Sequence, residues 1–409
     1  MQRGVVQPTG TECAQNWAFG LNKFANSPLR FVHCTSHNAG YTMPEPLVSV
    51  IIPTFNRAYC VGKAIDSALV QTHQNTEILV LDDGSTDGTR DLIERSYAGD
   101  SRVRYFFHEN QGVTATRNWG ITLCRGDFVA LLDSDDTWSP WKLELQLACF
   151  RHRPEVGMVW TDMEAIGPGG EVVSRSYLQT MYSAYQWFPR KEQLFPQSFA
   201  LAEIAPALRP VVEGRRFYTG EIFSQMIMGN LVHTSTVLMR RERLEKVRGF
   251  NEELRISGED YDFHLRTCRE GPVGFIDLAT IRYRTGMPDR LTRAEYKIHA
   301  AMNCLKTVLP LIEQERSQIK LSDRMIRLRL AEMHAWVGGV LLNTGEASQA
   351  RLHLRKSLSV QLWQLGTLKL LALASLPESI RQRLRRLVRE LKVRLGARKG
   401  EAIMAAKAG

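Results

Sequence analysis

Three carboxylates stand within four residues at the point where a short apolar run ends. Residues 128–132 are wholly apolar and predict a buried strand, which Asp133, Asp135 and Asp136 follow directly. A divalent cation carrying phosphates would neutralise such a cluster, because Mg²⁺ takes one or two protein carboxylates together with phosphate oxygens and water. In an extended chain Asp133 and Asp135 point the same way, so one could bind metal while the other accepts a ligand hydroxyl. The alternative is a solvated acidic turn, with Asp136 capping a helix through residues 138–141.

A second acidic group, formed by Glu259, Asp260 and Asp262, stands beside an apolar helical pattern that includes Phe263 and Leu265. Two adjacent carboxylates in such a place can raise each other's pKa. The alternative is that the three acids begin a helix and complement its dipole. The residues alone leave both interpretations open.

Strands alternating with helices are predicted to position the first cluster. Apolar, partly β-branched runs predict buried strands at residues 48–52, 78–81 and 128–132, and residues 103–107 resemble a further strand. Pro53 is expected to stop the first strand, and helical spacing follows it over residues 59–71. Strands that recur roughly every 25 to 30 residues, with helices between them, indicate an open parallel sheet.

Polar clusters follow three of these strands. They are Pro53-Thr54-Phe55-Asn56, Asp82-Asp83-Gly84-Ser85 and Asp133-Ser134-Asp135-Asp136. Ligands of open parallel sheets bind beyond the carboxyl ends of the strands. We therefore expect the three clusters to meet at one site.

The excess basic charge lies near the C-terminus. The formal net charge is +10, and residues 381–399 hold nine Lys or Arg and a single acid. The rest of the chain is close to neutral, which argues against a nucleic-acid partner. Residues 380–399 predict a helix with an apolar face through Ile380, Leu384 and Leu387 and a basic face that includes Arg381. It could bind an anionic membrane surface, or pack on the helical hairpin predicted over residues 331–357.

The cysteines and the hydropathy of the sequence indicate in which cellular compartment the protein is expected. The seven cysteines form no C-x-x-C pair and are odd in number, which argues against a disulfide framework or a zinc site. No run reaches the roughly 18 apolar residues of a membrane span, and the first residues do not resemble a signal peptide. We expect a cytoplasmic protein, with peripheral contact at the inner face of a membrane as an option.

Four blocks in order resemble glycosyltransferase family 2, a family of inverting enzymes with the GT-A fold. They are VSVIIPTFNR, VLDDGSTDGT, GVTATRNWGI followed by FVALLDSDD, and GFNEEL followed by GEDYDFHLR. The resemblance covers about residues 48–284. It implies an α/β fold, Rossmann-like, with a mostly parallel central sheet flanked by helices.

The resemblance also implies a division of the chain. We expect an irregular N-terminal arm, a GT-A domain with a nucleotide-binding half and an acceptor half, and a C-terminal α-helical extension. The expected ranges are 1–46 for the arm, 47–150 and 151–298 for the halves of the 47–298 domain, and 299–409 for the extension.

The donor is implied to be a nucleotide-diphosphate sugar. By the resemblance, Asp83 accepts from the imide of a uracil- or thymine-type base, and Pro53, Thr54 and Asn56 line the base and ribose. Asp133 is implied to meet the ribose. Asp135 is implied to hold Mg²⁺ or Mn²⁺ on the diphosphate, where the metal stabilises the leaving group. Arg117 is expected to face a phosphate, or else to form a structural salt bridge.

The base that deprotonates the acceptor hydroxyl is implied to be Asp260. Glu259 and Asp262 are expected on the acceptor side. Many relatives have a His shortly after a Tyr-Arg pair, whereas here residues 283–287 read Tyr-Arg-Thr-Gly-Met. The sequence also lacks the Q-x-x-R-W motif of processive synthases, which favours transfer of a single sugar.

The expected function is metal-dependent, inverting transfer of one sugar to a saccharide or lipid-linked saccharide, in cell-surface polysaccharide or glycolipid assembly. The alternative is a catalytically silent protein of the same fold that binds sugar nucleotides or membranes. A dinucleotide oxidoreductase is disfavoured, because no G-x-G-x-x-G follows the first strand.

Overall fold

The computed structural model describes residues 45–254, 256–286, 296–384 and 386–387. The predicted arm, up to residue 44, and residues 388–399 of the predicted basic helix lie outside the described residues.

Strands and helices alternate through the first part of the chain, and helices follow. The strands are β1 (Val48–Thr54), β2 (Thr76–Asp82), β3 (Val103–Phe107), β4 (Phe128–Leu131), β5 (Thr137–Trp138), β6 (Met158–Ile166), β7 (Val172–Ser174), β8 (Gln197–Ala200), β9 (Arg216–Gly220), β10 (Leu238–Arg240) and β11 (Val273–Arg284). The helices are α1 (Val61–Leu69), α2 (Thr89–Tyr97), α3 (Val113–Leu123), α4 (Lys142–His152), α5 (Leu178–Met181), α6 (Leu201–Ile204), α7 (Arg209–Val212), α8 (Phe223–Met226), α9 (Arg241–Val247), α10 (Glu259–Arg269), α11 (Lys297–Gln314), α12 (Asp323–Thr344), α13 (Ala347–Val360) and α14 (Leu365–Ser375).

The strands form one mixed sheet in the order β3-β2-β1-β4-β10-β6-β11-β9-β8. The first four strands of that order, β3, β2, β1 and β4, are parallel to one another. β10 is antiparallel to both β4 and β6, so β6 and its parallel partner β11 run in the direction of β4. The predicted α/β class, with a mostly parallel central sheet, flanking helices and a C-terminal helical region, is confirmed.

Helices pack tightly on the central strands β1 and β2. All seven residues of β1 and all seven of β2 are buried. α1 turns its apolar positions Val61, Ala64, Ile65 and Ala68 inward at helical spacing. α3 lies so close to β1 that a Cβ added at Gly120 would come within 2.8 Å of the Ile51 side chain.

The expectation that Pro53 ends the first strand is wrong, because β1 continues to Thr54. β4 pairs with β1 only as far as Ile51 beside Leu131. β2 stays paired to the last residue, where Thr54 lies beside Asp82. The N–H that Pro53 lacks would point to the side where β4 pairing has already ended, so the proline removes no ladder hydrogen bond.

The C-terminal helices include the hairpin that the sequence predicts. α12 and α13 are joined at Gly345, whose φ of 100° is left-handed and suits glycine. The predicted domain boundary at residue 298 stays a prediction. Among the described residues, no helix combines the length and apolar character that crossing a bilayer requires.

At the start of the predicted basic helix, the buried and exposed positions are the reverse of those that the sequence predicts. Residues 378–384 and 386–387 are helical. Arg381, predicted on the solvated basic face, is buried and donates to the carbonyl oxygens of Ala374 (3.2 Å) and Leu376 (2.6 Å), at the end of α14. Ile380 and Leu384, predicted on a shared apolar face, are exposed. A buried arginine that satisfies helix-end carbonyls has taken the inward position.

Candidate active site

Asp83 is held at the junction of β2 and α3. Its N–H donates to the carbonyl of Thr54 at 2.9 Å, and its carboxylate accepts from the backbone N–H groups of Gln111 (2.7 Å) and Gly112 (3.0 Å). His108 Nε2 lies 3.7 Å from the same carboxylate. These bonds fix the carboxylate of Asp83 at the end of the sheet, and its contact with a base imide stays a prediction.

The end of β1 and the loop after it hold two further predicted donor residues, Thr54 and Asn56. Thr54 is buried, and among the described residues its hydroxyl has no hydrogen-bond partner. Asn56 has a positive φ of 51°, and its side-chain oxygen accepts from the N–H groups of Thr86 (2.8 Å) and Asp87 (3.3 Å). Asn56 therefore ties two loops together, whereas Thr54 offers an unsatisfied hydroxyl.

Arg117 joins the two acidic groups of the sequence. Its guanidinium is buried and donates to Asp133 Oδ1 at 2.8 Å through Nη2 and to Glu259 Oε1 at 3.1 Å through Nη1. It also lies over the ring of Phe250, 5.3 Å from the centroid. Burial alone would raise the pKa of Asp133, but attraction to Arg117 and His233 lowers it below the usual value. The salt bridge that was the alternative to a phosphate contact is formed.

Asp135 faces the loop after β1. Its Oδ2 lies 3.6 Å from Nη1 of Arg57, and its side chain is 22% exposed. The carboxylate of Asp135 is therefore accessible and lies close to a cationic side chain, and its role on a diphosphate stays a prediction.

A possible metal-binding trio lies beside Asp135, formed by Asp133, Asp136 and His233. One ligand atom from each lies within 4.8 Å of the others. Asp136 is 1% exposed, and its Oδ2 has no hydrogen-bond partner among the described residues. Burial, and then repulsion from Asp135 and Asp133, raises its pKa well above the usual value. A bound cation would relieve both penalties, so the residues fit a Mg²⁺ or Mn²⁺ ion.

Asp136 does not cap a helix, which corrects the alternative considered from sequence. β5 occupies residues 137–138 and pairs with β11, and α4 begins only at Lys142. Asp136 Oδ1 instead accepts from the N–H of Arg284 at 3.4 Å. A two-residue strand leaves no sequence period, so the pattern could not distinguish it from a helix start.

α10 begins with the second acidic group. Burial, and then repulsion from Asp260, raises the pKa of Glu259 to about 7 despite its bond to Arg117. Burial also raises the pKa of Asp260, whose Oδ2 accepts from Nδ2 of Asn230 at 3.2 Å. The structure thus places Glu259 and Asp260 beside Asp133, through Arg117.

Asp262 belongs to a different set of contacts. Its Oδ2 accepts from Nε of Arg266 at 2.8 Å, one turn further along α10. Arg266 in turn donates to the carbonyl oxygens of Val247 and Gly249. Asp262 is therefore engaged in a salt bridge that anchors α10, away from the Arg117 contacts.

His233 and Asn230 are the site residues that the sequence did not indicate. The histidine expected after the Tyr-Arg pair is missing there, but His233 arrives from another segment and packs against Tyr283, with ring centroids 5.0 Å apart. Neither residue stands in a motif, since the irregular segment that holds them is placed only by tertiary packing.

Comparison with known proteins shows which family the first part of the chain resembles. Residues 49–202 match the family model described as glycosyl transferase family 2. An uncharacterized glycosyltransferase of Rickettsia conorii is 47% identical over 262 residues, which is 64% of this chain and 37% of that protein. Chondroitin synthase of Escherichia coli is 37% identical over 138 residues, which is 34% of this chain and 20% of that protein. Residues 49–202 therefore form a glycosyl transferase family 2 domain.

Two further similarities are less extensive or less close. The putative teichuronic acid biosynthesis glycosyltransferase TuaG of Bacillus subtilis is 40% identical over 27% of this chain and 44% of that protein. The solved structure of S. aureus TarS in complex with UDP-GlcNAc aligns with 82% of this chain and 91% of that chain, at 18% identity and a TM-score of 0.48. The chain spans 20% to 44% of the length of the three curated relatives.

Proposed function

We propose that the chain is a metal-dependent, inverting glycosyltransferase that moves one sugar from a nucleotide-diphosphate sugar to an acceptor hydroxyl. The observation that carries the proposal is the pair of bonds from Arg117 to Asp133 and Glu259. They hold the acidic loop after β4 against the adjacent carboxylates that begin α10. A donor bound by the first group would present its anomeric carbon to an acceptor activated by the second.

The nucleotide-binding half, residues 47–150, offers hydrogen-bonding and acidic groups that suit a nucleotide. Asp83 accepts from the base imide, and the unsatisfied hydroxyl of Thr54 receives a hydrogen bond from the base or ribose. Pro53 and Asn56 shape the same wall, Asn56 by fixing the loop. Asp133 meets the ribose, and Asp135 would hold the metal on the diphosphate. The possible metal-binding group formed by Asp133, Asp136 and His233 would offer further ligand atoms to the ion.

The reaction follows from the carboxylate placement. Asp260 takes the proton of the acceptor hydroxyl, the acceptor oxygen bonds to the anomeric carbon, and the bond from that carbon to the diphosphate oxygen breaks. When bound, the metal supplies Lewis-acid stabilisation of the leaving nucleoside diphosphate. A raised pKa suits Asp260 to this role, because burial makes the carboxylate more basic than it would be in water.

The direct test is release of nucleoside diphosphate across a panel of uridine, thymidine and other nucleotide sugars, with saccharide and lipid-linked acceptors. Several relatives are named for polysaccharide synthesis, which favours cell-surface polysaccharide or glycolipid acceptors. A silent protein of the same fold would bind donors without release. The presence of Asp83, Asp133, Asp135 and Asp260 together in the sequence favours the enzyme, since a silent protein would need no such set.

Replacing Asp135 by alanine is expected to abolish measurable donor binding, and a chelator should do the same to the unmodified protein. The reason is that the diphosphate would lose the cation that neutralises it. Isothermal titration calorimetry measures both effects. Asp91→Ala, at an exposed carboxylate of α2, is the control and should bind normally. Unchanged donor affinity with chelator present would rule out the metal assignment.

We also propose that residues 362–387 contact an anionic membrane surface. Leu362, Trp363 and Leu365, just before and at the start of α14, are 64%, 84% and 75% exposed. Arg383 and Arg386, further along the chain, are exposed as well. An exposed apolar group with a tryptophan, in a segment that also exposes cations, matches the chemistry of an anionic bilayer interface.

Trp363→Ser is expected to weaken binding to anionic vesicles by about tenfold or more, with turnover on a soluble acceptor unchanged. Co-sedimentation with anionic and neutral vesicles measures the binding. Val173→Ser, an exposed apolar residue of β7, serves as the control. Equal binding by the Trp363 variant would place the contact elsewhere.

A further inference from the structure

Arg329 of α12 reaches from the C-terminal helices into the α/β domain. Its side chain is 7% exposed, and Nε donates to the carbonyl oxygen of Ile227 at 2.9 Å. Nη2 donates to Sγ of Cys304 at 3.0 Å, and Nη1 lies 3.3 Å from Glu332. The buried guanidinium of Arg329 holds the carbonyl group of Ile227 firmly in place, because charge-assisted hydrogen bonds are about twice as strong as neutral ones.

The segment that Arg329 holds, residues 226–230, leads directly to Asp260. The hydroxyl of Tyr261, the residue after Asp260, donates to the carbonyl oxygen of Met226 at 2.6 Å. At the other end of the segment, Nδ2 of Asn230 donates to Oδ2 of Asp260 at 3.2 Å. Oδ1 of Asn230 accepts from the N–H of Val232 at 3.0 Å, so its amide group faces the carboxylate.

Asn303 of α11 makes a second connection, to the start of α10. Its Nδ2 donates to the carbonyl oxygen of Ser257 at 2.7 Å. Gly258 follows with a φ of 91°, and a Cβ added there would lie 3.2 Å from Cβ of Asn303. α11 therefore fixes the turn from which Glu259 and Asp260 project.

We infer that α11 and α12 position the base, with Arg329, Asn303 and Asn230 as positioning residues for Asp260. The inference rests on the proposed role of Asp260. It assigns a catalytic purpose to a helical region that lies outside the matched family domain of residues 49–202. Arg329 acts by holding the segment that ends in Asn230, and Asn303 acts by holding the turn before α10.

Arg329→Met should lower kcat by about 10- to 100-fold, since displacing a reacting group by about 1 Å can cost 10²-fold. Donor affinity should not change, because the contacts that Arg329 makes with described residues involve Ile227, Cys304 and Glu332 and none of the predicted donor residues. Arg329→Lys should recover part of the loss, since it restores a buried cation that can reach a carbonyl. Arg327→Met, at an exposed arginine of the same helix, is the control and should have unchanged kcat.

A double-mutant cycle with Asp260→Asn separates positioning from general destabilisation. If Arg329 acts through Asp260, Arg329→Met should have no further effect on kcat in the Asp260→Asn background. Equal losses in both backgrounds would overturn the inference. If Asp260→Asn alone leaves turnover intact, the base assignment fails instead, so the two failures are distinguishable. Asn303→Ala, tested by the same cycle, gives the answer if Arg329→Met does not fold.

Discussion

Asp260→Asn is expected to lower kcat by about 10²–10⁴-fold while the donor dissociation constant stays the same. The substitution keeps the shape of the side chain and its neighbour Asn230, but it removes the proton acceptor. Burial raises the pKa of Asp260, so activity should rise as the pH passes upward through that raised pKa and the carboxylate ionises. Nucleotide release and donor binding, measured on the same preparation, test both statements.

Asp262→Asn is the matched control, because it makes the same change two residues further along α10. Asp262 is bonded to Arg266, so the control should alter stability more than turnover. Asp135→Asn should harm donor binding first, in contrast to Asp260→Asn. If Asp260→Asn turns over at nearly the normal rate with its fold intact, the base lies elsewhere, and Glu259 is the next candidate.

Arg117→Met is expected to destabilise the protein by about 3–5 kcal/mol and to abolish turnover. Removing one partner of a buried ion pair leaves uncompensated charge, here on Asp133 and Glu259. The free energy of unfolding from urea denaturation, with nucleotide release beside it, measures both effects.

The double variant Arg117→Met with Glu259→Gln should recover part of the lost stability, because it removes one uncompensated buried carboxyl group. Turnover should not recover, since Asp133 and α10 would still lack their connection. A fully stable Arg117→Met variant would show that the Arg117 bonds do not hold the two halves of the site together.

Much of the fold is predictable because its central strands are short apolar runs bounded by polar residues. β3 coincides with the predicted run at residues 103–107, and β4 ends one residue before the prediction. Parallel strands buried on both faces need such runs, so the signal is strong. The predicted end of β1 at Pro53 is wrong because it depends on which strand lies beside that residue. The sequence does not show whether the missing N–H of a proline would have faced a paired strand.

In the candidate site, too, some residues could be predicted from the sequence and others could not. Asp83, Asp133 and Asp135 lie directly after strands, so the position of the strands places them. His233 and Asn230 lie in irregular segments, where only tertiary contacts decide which way a side chain points. Arg381 shows the same limit on a helix, because capping the carbonyls of α14 outweighed the face that hydropathy predicts.

The anomeric configuration of the transferred sugar tests the account most directly. Direct attack by an acceptor hydroxyl that Asp260 has deprotonated inverts the anomeric carbon in one step. Proton NMR of the first product, recorded before any mutarotation and compared with the donor, reports the configuration. We predict that the product has the configuration opposite to that of the donor, and that the signal is lost in Asp260→Asn. A product with the donor's configuration would contradict the assignment of Asp260 as the base of a single displacement.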